Sequence, residues 1–190
     1  CDTRVIYKGG KIPSSVVAIA DSDDVVITLE DGFYRLALNG ELTELSDFKI
    51  DKQLLRFNDG KCDNQGRYWS GTMDRTENEG LGSLYYLEKG NVVKVLDEVI
   101  TSNGLCWSQD NKTFYYIDSP RQTVSAYDID FTKGQLTNHR VVYRIGEENV
   151  FPDGMTIDAN GNLWVALWNG FSVLCIDPQS GNVIEKVEIP

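Results

Sequence analysis

Three strings in the chain place Asn or Asp directly before Gly at the start of a hydrophobic run: Asn58-Asp59-Gly60, Ser102-Asn103-Gly104 and Pro152-Asp153-Gly154. Each string is followed by a polar turn and then by an aromatic-rich run. The turns contain Asp63, Asp110 and Asp158, at spacings of 47 and 48 residues. A repeat of roughly 40–50 residues is typical of one four-stranded blade of a β-propeller. The sequence therefore predicts a repeat architecture.

Two further runs suited to β-strands complete each period. They are joined by Gly-centred turns: Lys89-Gly90-Asn91, Lys133-Gly134-Gln135 and Ser180-Gly181-Asn182. The β-branched and aromatic residues of these runs fit a pleated, half-buried surface, and Gly and Asn supply the positive φ of tight hairpins. A fainter copy of the unit spans residues 15–40. We predict an all-β chain of about four blades, with residues 1–13 as the outer strand of an earlier unit.

The blade count also predicts the domain organisation. Propellers bury the faces of neighbouring blades and close into a ring, so four blades with an additional strand suggest an incomplete ring. The regular period leaves no room for a linker between domains. We therefore expect residues 1–190 to form a single β-propeller domain that lacks blades at both its N-terminal and C-terminal ends.

Bulk properties narrow the class of partner. The net charge of −11 disfavours nucleic acid and anionic membranes, because binding to phosphate needs clustered Lys and Arg. No apolar run approaches the roughly 18 residues of a membrane span. The four cysteines lack C-x-x-C spacing, so neither a structural zinc site nor a disulfide-rich scaffold is predicted. The sequence does not determine the cellular compartment.

Several catalytic and metal-binding motifs are excluded. His139 is the single histidine, which disfavours a His-rich zinc site and a Ser-His-Asp triad, and we expect it to be exposed on an outer strand. The run Asp128 to Gly134 resembles an EF-hand loop, but Lys133 occupies the position of the required Gly and His139 that of the final Glu. We predict a hairpin turn there.

The Asn and Asp residues of the three opening strings form the strongest candidate site. In a propeller the first strand of each blade lines the central channel, so Asn58, Asp59, Asn103 and Asp153 should converge at one mouth of it. Hard oxygen donors of this kind match a Ca²⁺ or Mg²⁺ site. Alternatively, Asn-Gly and Asp-Gly only make turns. The repeat spacing does not choose between these two interpretations.

Five strings, taken together, resemble the signature strings of the SMP-30/gluconolactonase/LRE-like family. They are Arg56-Phe57-Asn58-Asp59-Gly60-Lys61, Gly66-Arg67-Tyr68-Trp69-Ser70-Gly71-Thr72-Met73, Ser102-Asn103-Gly104-Leu105, Phe114-Tyr115-Tyr116-Ile117-Asp118-Ser119 and Pro152-Asp153-Gly154-Met155. The resemblance runs in order through nearly the whole chain. It implies a six-bladed β-propeller with a divalent metal at the channel mouth, of which this chain would cover about four blades.

The resemblance also implies roles for individual residues. Asn103 and Asp153 match two of the family's three protein ligands to the metal, and Asp153 matches its acid/base. Arg56 and Asn58 match substrate-contacting residues, and Glu77 is a candidate for a further one. The remaining ligand would be a Glu in a blade that precedes this chain. Ca²⁺ is the expected metal, with Zn²⁺, Mg²⁺ and Mn²⁺ as alternatives.

The function implied by the resemblance is metal-dependent hydrolysis of a sugar lactone, a small-molecule partner. The alternatives are a calcium-binding regulatory propeller without enzymatic activity, a phosphotriesterase-like hydrolase, and a ring that binds peptides. Arg56 beside Asn58 favours an enzyme, because an inorganic cation site does not require a nearby Arg, whereas a hydroxyl-rich substrate does.

Overall fold

The computed structural model describes residues 5–190 and contains sixteen β-strands in that range. Blade 1 comprises β1 (Pro13–Ala18), β2 (Val25–Leu29), β3 (Gly32–Leu36) and β4 (Leu42–Glu44). Blade 2 comprises β5 (Leu55–Cys62), β6 (Tyr68–Asp74), β7 (Gly82–Glu88) and β8 (Asn91–Val99). Blade 3 comprises β9 (Ser102–Trp107), β10 (Thr113–Asp118), β11 (Thr123–Asp130) and β12 (Gln135–Arg144). Blade 4 comprises β13 (Phe151–Ile157), β14 (Leu163–Trp168), β15 (Ser172–Asp177) and β16 (Asn182–Glu188).

Each blade is a four-stranded antiparallel sheet whose strands follow chain order. The first strands of successive blades contact one another, β1 with β5, β5 with β9 and β9 with β13. The four inner strands are therefore arranged side by side around a common axis, as the inner strands of propeller blades are. The all-β propeller and its four blades are confirmed.

The hydrophobic core lies between consecutive blades. One cluster joins Trp69 and Tyr86 of blade 2 to Leu105 and Phe114 of blade 3, and a second cluster joins blades 3 and 4. A third joins blades 1 and 2. Trp69 and Phe114 are fully buried, and each such side chain stabilises the fold by about 1.5–3 kcal/mol relative to exposure.

Every inner strand carries a bulge close to its start. The pairing register shifts between Pro13 and Ser15 in β1, between Phe57 and Gly60 in β5, and between Pro152 and Met155 in β13. In β9 the shift falls at Gly104, opposite Tyr116 and Ile117 of β10. Because a bulge re-aims the side chains beside it, the inner strands can direct polar residues toward the channel mouth.

The polar turns between the first two strands of blades 2 and 4 share one design. The Asp63 carboxylate accepts hydrogen bonds from the Trp69 indole at 2.7 Å and from the backbone N–H of Arg67 at 3.0 Å. Asp158 accepts equivalent bonds from the Trp164 indole and the backbone of Asn162, and these hydrogen bonds hold its pKa at about 2.

Blade 3 departs from this design. Ser108, not Asp110, occupies the place of Asp63, since the N–H of Ser108 donates to Thr113 O as the N–H of Asp63 donates to Arg67 O. The prediction that aligned Asp110 with Asp63 is therefore wrong by two residues. The physical reason is a turn one residue longer in blade 3, in which Asp110 instead accepts the N–H of Lys112.

The predicted outer strand at residues 1–13 is not formed in the described part. Residues 1–4 lie outside the described range, residues 5–12 contain no strand, and Pro13 is already the first residue of β1. An outer strand needs the third strand of its own blade as a partner, and the sheets of the described residues offer no such strand to residues 5–12. That element of the prediction is corrected.

The sequence predictions for the run from Asp128 to Gly134 and for His139 are confirmed. The EF-hand-like run forms the hairpin between β11 and β12, and His139 is exposed on β12 with its Nε2 3.1 Å from Ser125 Oγ. Cys106 and Cys175 are buried free thiols, while Cys62 is half-buried. Across residues 5–190, no helix has the length and apolar character needed to cross a membrane.

Candidate active site

A cavity of about 420 Å³ opens where the inner strands of blades 2, 3 and 4 begin. Its lining includes Arg56 and Asn58 from β5, Asn103 from β9 and Asp153 from β13. The structure thus brings together the four residues to which the family resemblance assigned metal-binding, substrate-binding or catalytic roles. Glu77, the further candidate, also lines the cavity, whereas Asp59 does not.

The Asn-Gly and Asp-Gly strings do not make turns. Gly60, Gly104 and Gly154 all lie inside inner strands, and none of them has positive φ. Gly104 is needed for a close approach, because a Cβ there would lie 2.6 Å from the carbonyl oxygen of Asp153 in the next blade. The alternative in which these strings are only turns is therefore wrong.

Arg56 and Asn58 form one hydrogen-bonded unit on β5. Arg56 Nη1 donates to Asn58 Oδ1 at 3.0 Å, and Asn58 Nδ2 donates to the carbonyl oxygen of Ser102 at 2.8 Å. Burial lowers the pKa of the Arg56 guanidinium, an effect that the negative charge of Glu77 opposes. The unit is fixed to the neighbouring blade, and the remaining guanidinium N–H groups are available to a ligand.

Asn103 is buried and belongs to a different network. Its Nδ2 donates to Ser119 Oγ at 3.1 Å, and Ser119 Oγ donates to the carbonyl oxygen of Pro152 at 2.6 Å. No residue of the described range donates a hydrogen bond to Asn103 Oδ1, and Asn103 lines the cavity, so this oxygen is available to a ligand. This network connects the inner strand of blade 3 to that of blade 4, immediately before Asp153.

Asp153 is half-buried in the β13 bulge, and its carboxylate takes no part in the ion pairs or hydrogen bonds of residues 5–190. A second carboxylate, Asp59, lies in the β5 bulge. Burial raises the pKa of Asp59 and the charge of Asp153 adds to this, while the N–H of Gly60 and the charge of Lys61 oppose it. Lys61 Nζ reaches across to Met155 O at 2.8 Å.

The sequence did not identify an aromatic wall of the cavity. Phe151 and Trp168 both line it, with their ring centroids 5.9 Å apart, and Trp168 is 60% exposed. Phe151, the first residue of β13, pairs with Trp168, the last residue of β14. The one sequence signal that could have identified Phe151 is its position two residues before Asp153. Ser119 was missed as well, although it ends one of the family-like strings.

The donor set fits part of an oxygen-ligated cation site. Asn103 and Asp153 offer a neutral carbonyl oxygen and a carboxylate, which are the ligand types that Ca²⁺ and Mg²⁺ prefer. Over the described residues no cluster of three or more His, Cys, Asp or Glu side chains is found that could hold a metal ion. The two oxygens therefore fit such a cation only with further ligands from water, substrate or other residues.

The fold and the site together define a propeller with a cavity at its channel mouth that is lined by both polar and aromatic side chains. A model of the SMP-30/gluconolactonase/LRE-like region matches residues 3–190, and the chain belongs to this family. YvrE of Bacillus subtilis strain 168, provisionally named a sugar lactone lactonase, is 41% identical over 189 residues, which cover 97% of this chain and 65% of YvrE. Regucalcin of Gallus gallus is 44% identical over 185 residues, which cover 94% of this chain and 62% of that protein.

Solved structures agree. The regucalcin of Agrobacterium tumefaciens strain C58, described as a calcium-binding protein, superposes with a TM-score of 0.85 at 30% identity, covering 95% of this chain and 61% of the other. The chain thus spans less than two thirds of the length of each of these relatives.

Proposed function

We propose that this protein, in its full-length form, hydrolyses the ester bond of a sugar lactone in the channel-mouth cavity with the help of a divalent cation. The observation that carries the proposal is the convergence of the Asp153 carboxylate, Asn103 and the Arg56–Asn58 unit on one cavity. Membership of the gluconolactonase family and the similarity to YvrE support a lactone as substrate.

Asp153 acts as the general base. Its carboxylate has no hydrogen-bond or ion-pair partner within the described range, 5–190, and it lines a cavity where a water molecule and a lactone carbonyl can meet. It removes a proton from the attacking water as the new C–O bond forms, and it returns that proton to the ring oxygen as the ester bond breaks. Acid and hydroxyl are the products, and Asp153 is regenerated.

Arg56 and Asn58 orient the substrate. The free guanidinium N–H groups of Arg56 donate to hydroxyl or carbonyl oxygens of the lactone, while its bond to Asn58 holds the guanidinium plane in place. A planar group with several fixed donors is suited to such recognition. The cavity volume of about 420 Å³ lies in the range of roughly 300–1,000 Å³ usual for small-molecule sites.

Asn103 Oδ1 and the Asp153 carboxylate would hold the cation, which we propose to be Ca²⁺, with Mg²⁺, Zn²⁺ and Mn²⁺ as alternatives. The chemistry that a bound divalent cation supplies in such a site is polarisation of the carbonyl and a lower pKa of bound water. The calcium-binding description of the Agrobacterium regucalcin supports Ca²⁺.

The test measures proton release from gluconolactone by the full-length protein in a pH-stat, with the spontaneous rate subtracted. We expect hydrolysis that stops with EDTA and returns with excess CaCl₂, while the melting temperature shows that the chelated protein remains folded. An unchanged rate in EDTA contradicts the metal dependence.

The alternatives give different results in the same assay. Calcium binding without turnover of any aldonolactone supports a regulatory propeller. Turnover of a phosphotriester such as paraoxon, with no turnover of lactones, supports a phosphotriesterase-like hydrolase.

A further inference from the structure

We infer that Ser119 is a positioning residue, which orients the side-chain amide of Asn103 so that its carbonyl oxygen faces the cavity. Ser119 begins a short 3₁₀ turn, Ser119–Arg121, directly after β10, and it is buried. The orientation itself follows from hydrogen-bonding groups alone. Its use in holding a cation rests on the proposed function.

The direction of each hydrogen bond is determined by what the partners can do. A carbonyl oxygen only accepts, so the single hydroxyl hydrogen of Ser119 is given to Pro152 O, 2.6 Å away. Toward Asn103 the serine oxygen then presents lone pairs. Only the NH₂ group of the amide complements them, at 3.1 Å. The Oδ1 of Asn103 is consequently on the arm of the amide that points away from Ser119.

The backbone around Ser119 is itself held firmly. The N–H of Ser119 donates to Thr101 O at 3.1 Å, and the carboxylate of the preceding Asp118 accepts the N–H groups of Ile100 and Thr101. Asp118 also pairs with Arg121 at 2.8 Å. The serine hydroxyl is therefore fixed relative to the start of β9, where Asn103 lies.

The same hydroxyl reaches the start of β13. Pro152 immediately precedes Asp153, and both lie where the β13 register shifts. Ser119 thus joins the two residues proposed to hold the cation, one through its side-chain amide and the other through the backbone carbonyl before it. One buried hydroxyl sets the spacing between two oxygen ligands that belong to different blades.

Loss of the hydroxyl should let the amide rotate. An amide that presents its NH₂ group to the cavity repels a cation, while one that presents Oδ1 binds it. Groups that orient metal ligands typically contribute 10- to 100-fold to metal affinity. The expected effect of Ser119→Ala is therefore a weaker site in a protein that remains folded.

The first experiment tests the orientation without reference to function. The side-chain amide signals of Asn103 in the full-length protein are assigned by NMR through their loss in Asn103→Ala. We expect slow hydrogen exchange of this amide in the unaltered protein and fast exchange in Ser119→Ala. Equal exchange rates in the two proteins would overturn the inference.

The second experiment measures Ca²⁺ affinity by calorimetry in a double-mutant cycle. Ser119→Ala should weaken Ca²⁺ binding about 10-fold. In the Asn103→Ala background the same change should alter affinity by less than about twofold, because no amide remains to be oriented. Ser119→Thr, which keeps the hydroxyl, should restore affinity. A full 10-fold loss in both backgrounds would show that Ser119 does not act through Asn103.

Ser83→Ala is the matched control. Ser83 is a buried serine whose hydroxyl bonds to Asp97, away from the cavity, so its removal should lower stability without changing Ca²⁺ affinity. If Ser83→Ala weakens binding as much as Ser119→Ala, the effect is general destabilisation and the inference is overturned. If the unaltered protein binds no Ca²⁺, the proposed cation is wrong, and the amide exchange still decides the role of Ser119.

Discussion

At the scale of single residues, the cavity separates groups that are already hydrogen-bonded from groups that are free. Both arms of the Asn58 amide are engaged, by Arg56 and by Ser102 O. Among residues 5–190 the Asp153 carboxylate has no hydrogen-bond or ion-pair partner, and Asn103 Oδ1 has none there because Ser119 bonds to the Nδ2 group. The free oxygens are suited to binding and proton transfer, and the engaged groups to keeping the cavity in shape.

The first prediction separates the roles of Asp153 and Asn103. Asp153→Asn keeps an oxygen but removes the charge and the proton acceptor, so lactone turnover should fall by about 10²–10⁴-fold even at saturating Ca²⁺. Asn103→Ala removes only a neutral ligand, and excess Ca²⁺ should largely restore its turnover. The measurement is kcat against CaCl₂ concentration. Near-normal turnover in saturated Asp153→Asn would rule out its role as the base.

The second prediction concerns the aromatic wall. Trp168→Ala removes a surface against which the apolar face of a sugar ring can pack. A loss of about 50 Å² of apolar contact at about 25 cal/mol/Å² amounts to roughly tenfold in binding. We expect KM to rise by about that factor with kcat nearly unchanged, because the contact is equal in ground and transition states.

Phe171→Ala serves as the control for Trp168→Ala. Phe171 is 68% exposed in the same β14–β15 hairpin, but it does not line the cavity. Its KM should equal that of the unaltered protein. A KM in Trp168→Ala that matches the Phe171→Ala value would remove Trp168 from the binding site.

At the scale of the strand, one bulge near the start of each inner strand explains why the site lies at the channel mouth. Asn58, Asp59 and Asp153 lie within the register shifts of β5 and β13, and Asn103 adjoins the shift of β9. Gly104, which follows Asn103, lets β9 and β13 approach closely. Bulges next to active sites commonly re-aim side chains in this way.

The third prediction tests the close approach of β9 and β13. Gly104→Ala places a Cβ 2.6 Å from Asp153 O and 2.8 Å from Met155 N, both backbone atoms, so the strands must separate. We expect a destabilisation of about 1–3 kcal/mol by urea unfolding. Gly154→Ala is the matched control, because a Cβ there meets nothing within 4 Å and its φ is not positive. Equal stability of the two variants would contradict the close approach.

The sequence was most informative where a signal repeats. Gly-centred turns recur in all four units and the Asn-Gly and Asp-Gly opening strings in three of them. These repeats predicted four blades and the convergence of Asn58, Asn103 and Asp153, and the family resemblance added Arg56. The equivalence of Ser108 with Asp63 could not be predicted. The turn in blade 3 is one residue longer, and its amino-acid composition does not reveal this insertion. Trp168 and Ser119 could not be found, because their proximity to the site depends on how the blades pack.

At the scale of the whole molecule, polar ties as well as apolar clusters join the blades. Arg67 of blade 2 is buried, pairs with Asp63 at 2.7 Å and donates from Nη1 to Phe131 O of blade 3 at 3.0 Å. The rings of Tyr86 and Phe131 lie about 5 Å from its guanidinium carbon, within reach of a cation–π contact. Coupling of this kind helps to hold the cavity, which is shared by three blades.

The fourth prediction tests the importance of this tie. Arg67→Ala leaves the fully buried Asp63 carboxylate without its charged partner, and breaking a buried pair in this way typically costs about 3–5 kcal/mol. Arg140→Ala is the control, because Arg140 pairs with Asp128 on the surface, where water and salt screen the attraction and ion pairs contribute little to stability. The unfolding of both variants in urea would be followed by tryptophan fluorescence. The Ca²⁺ affinity of the folded variants would be measured separately. If Arg67→Ala is as stable as Arg140→Ala, the tie between blades 2 and 3 contributes little, and the apolar cluster around Trp69 and Phe114 must hold the two blades together without it.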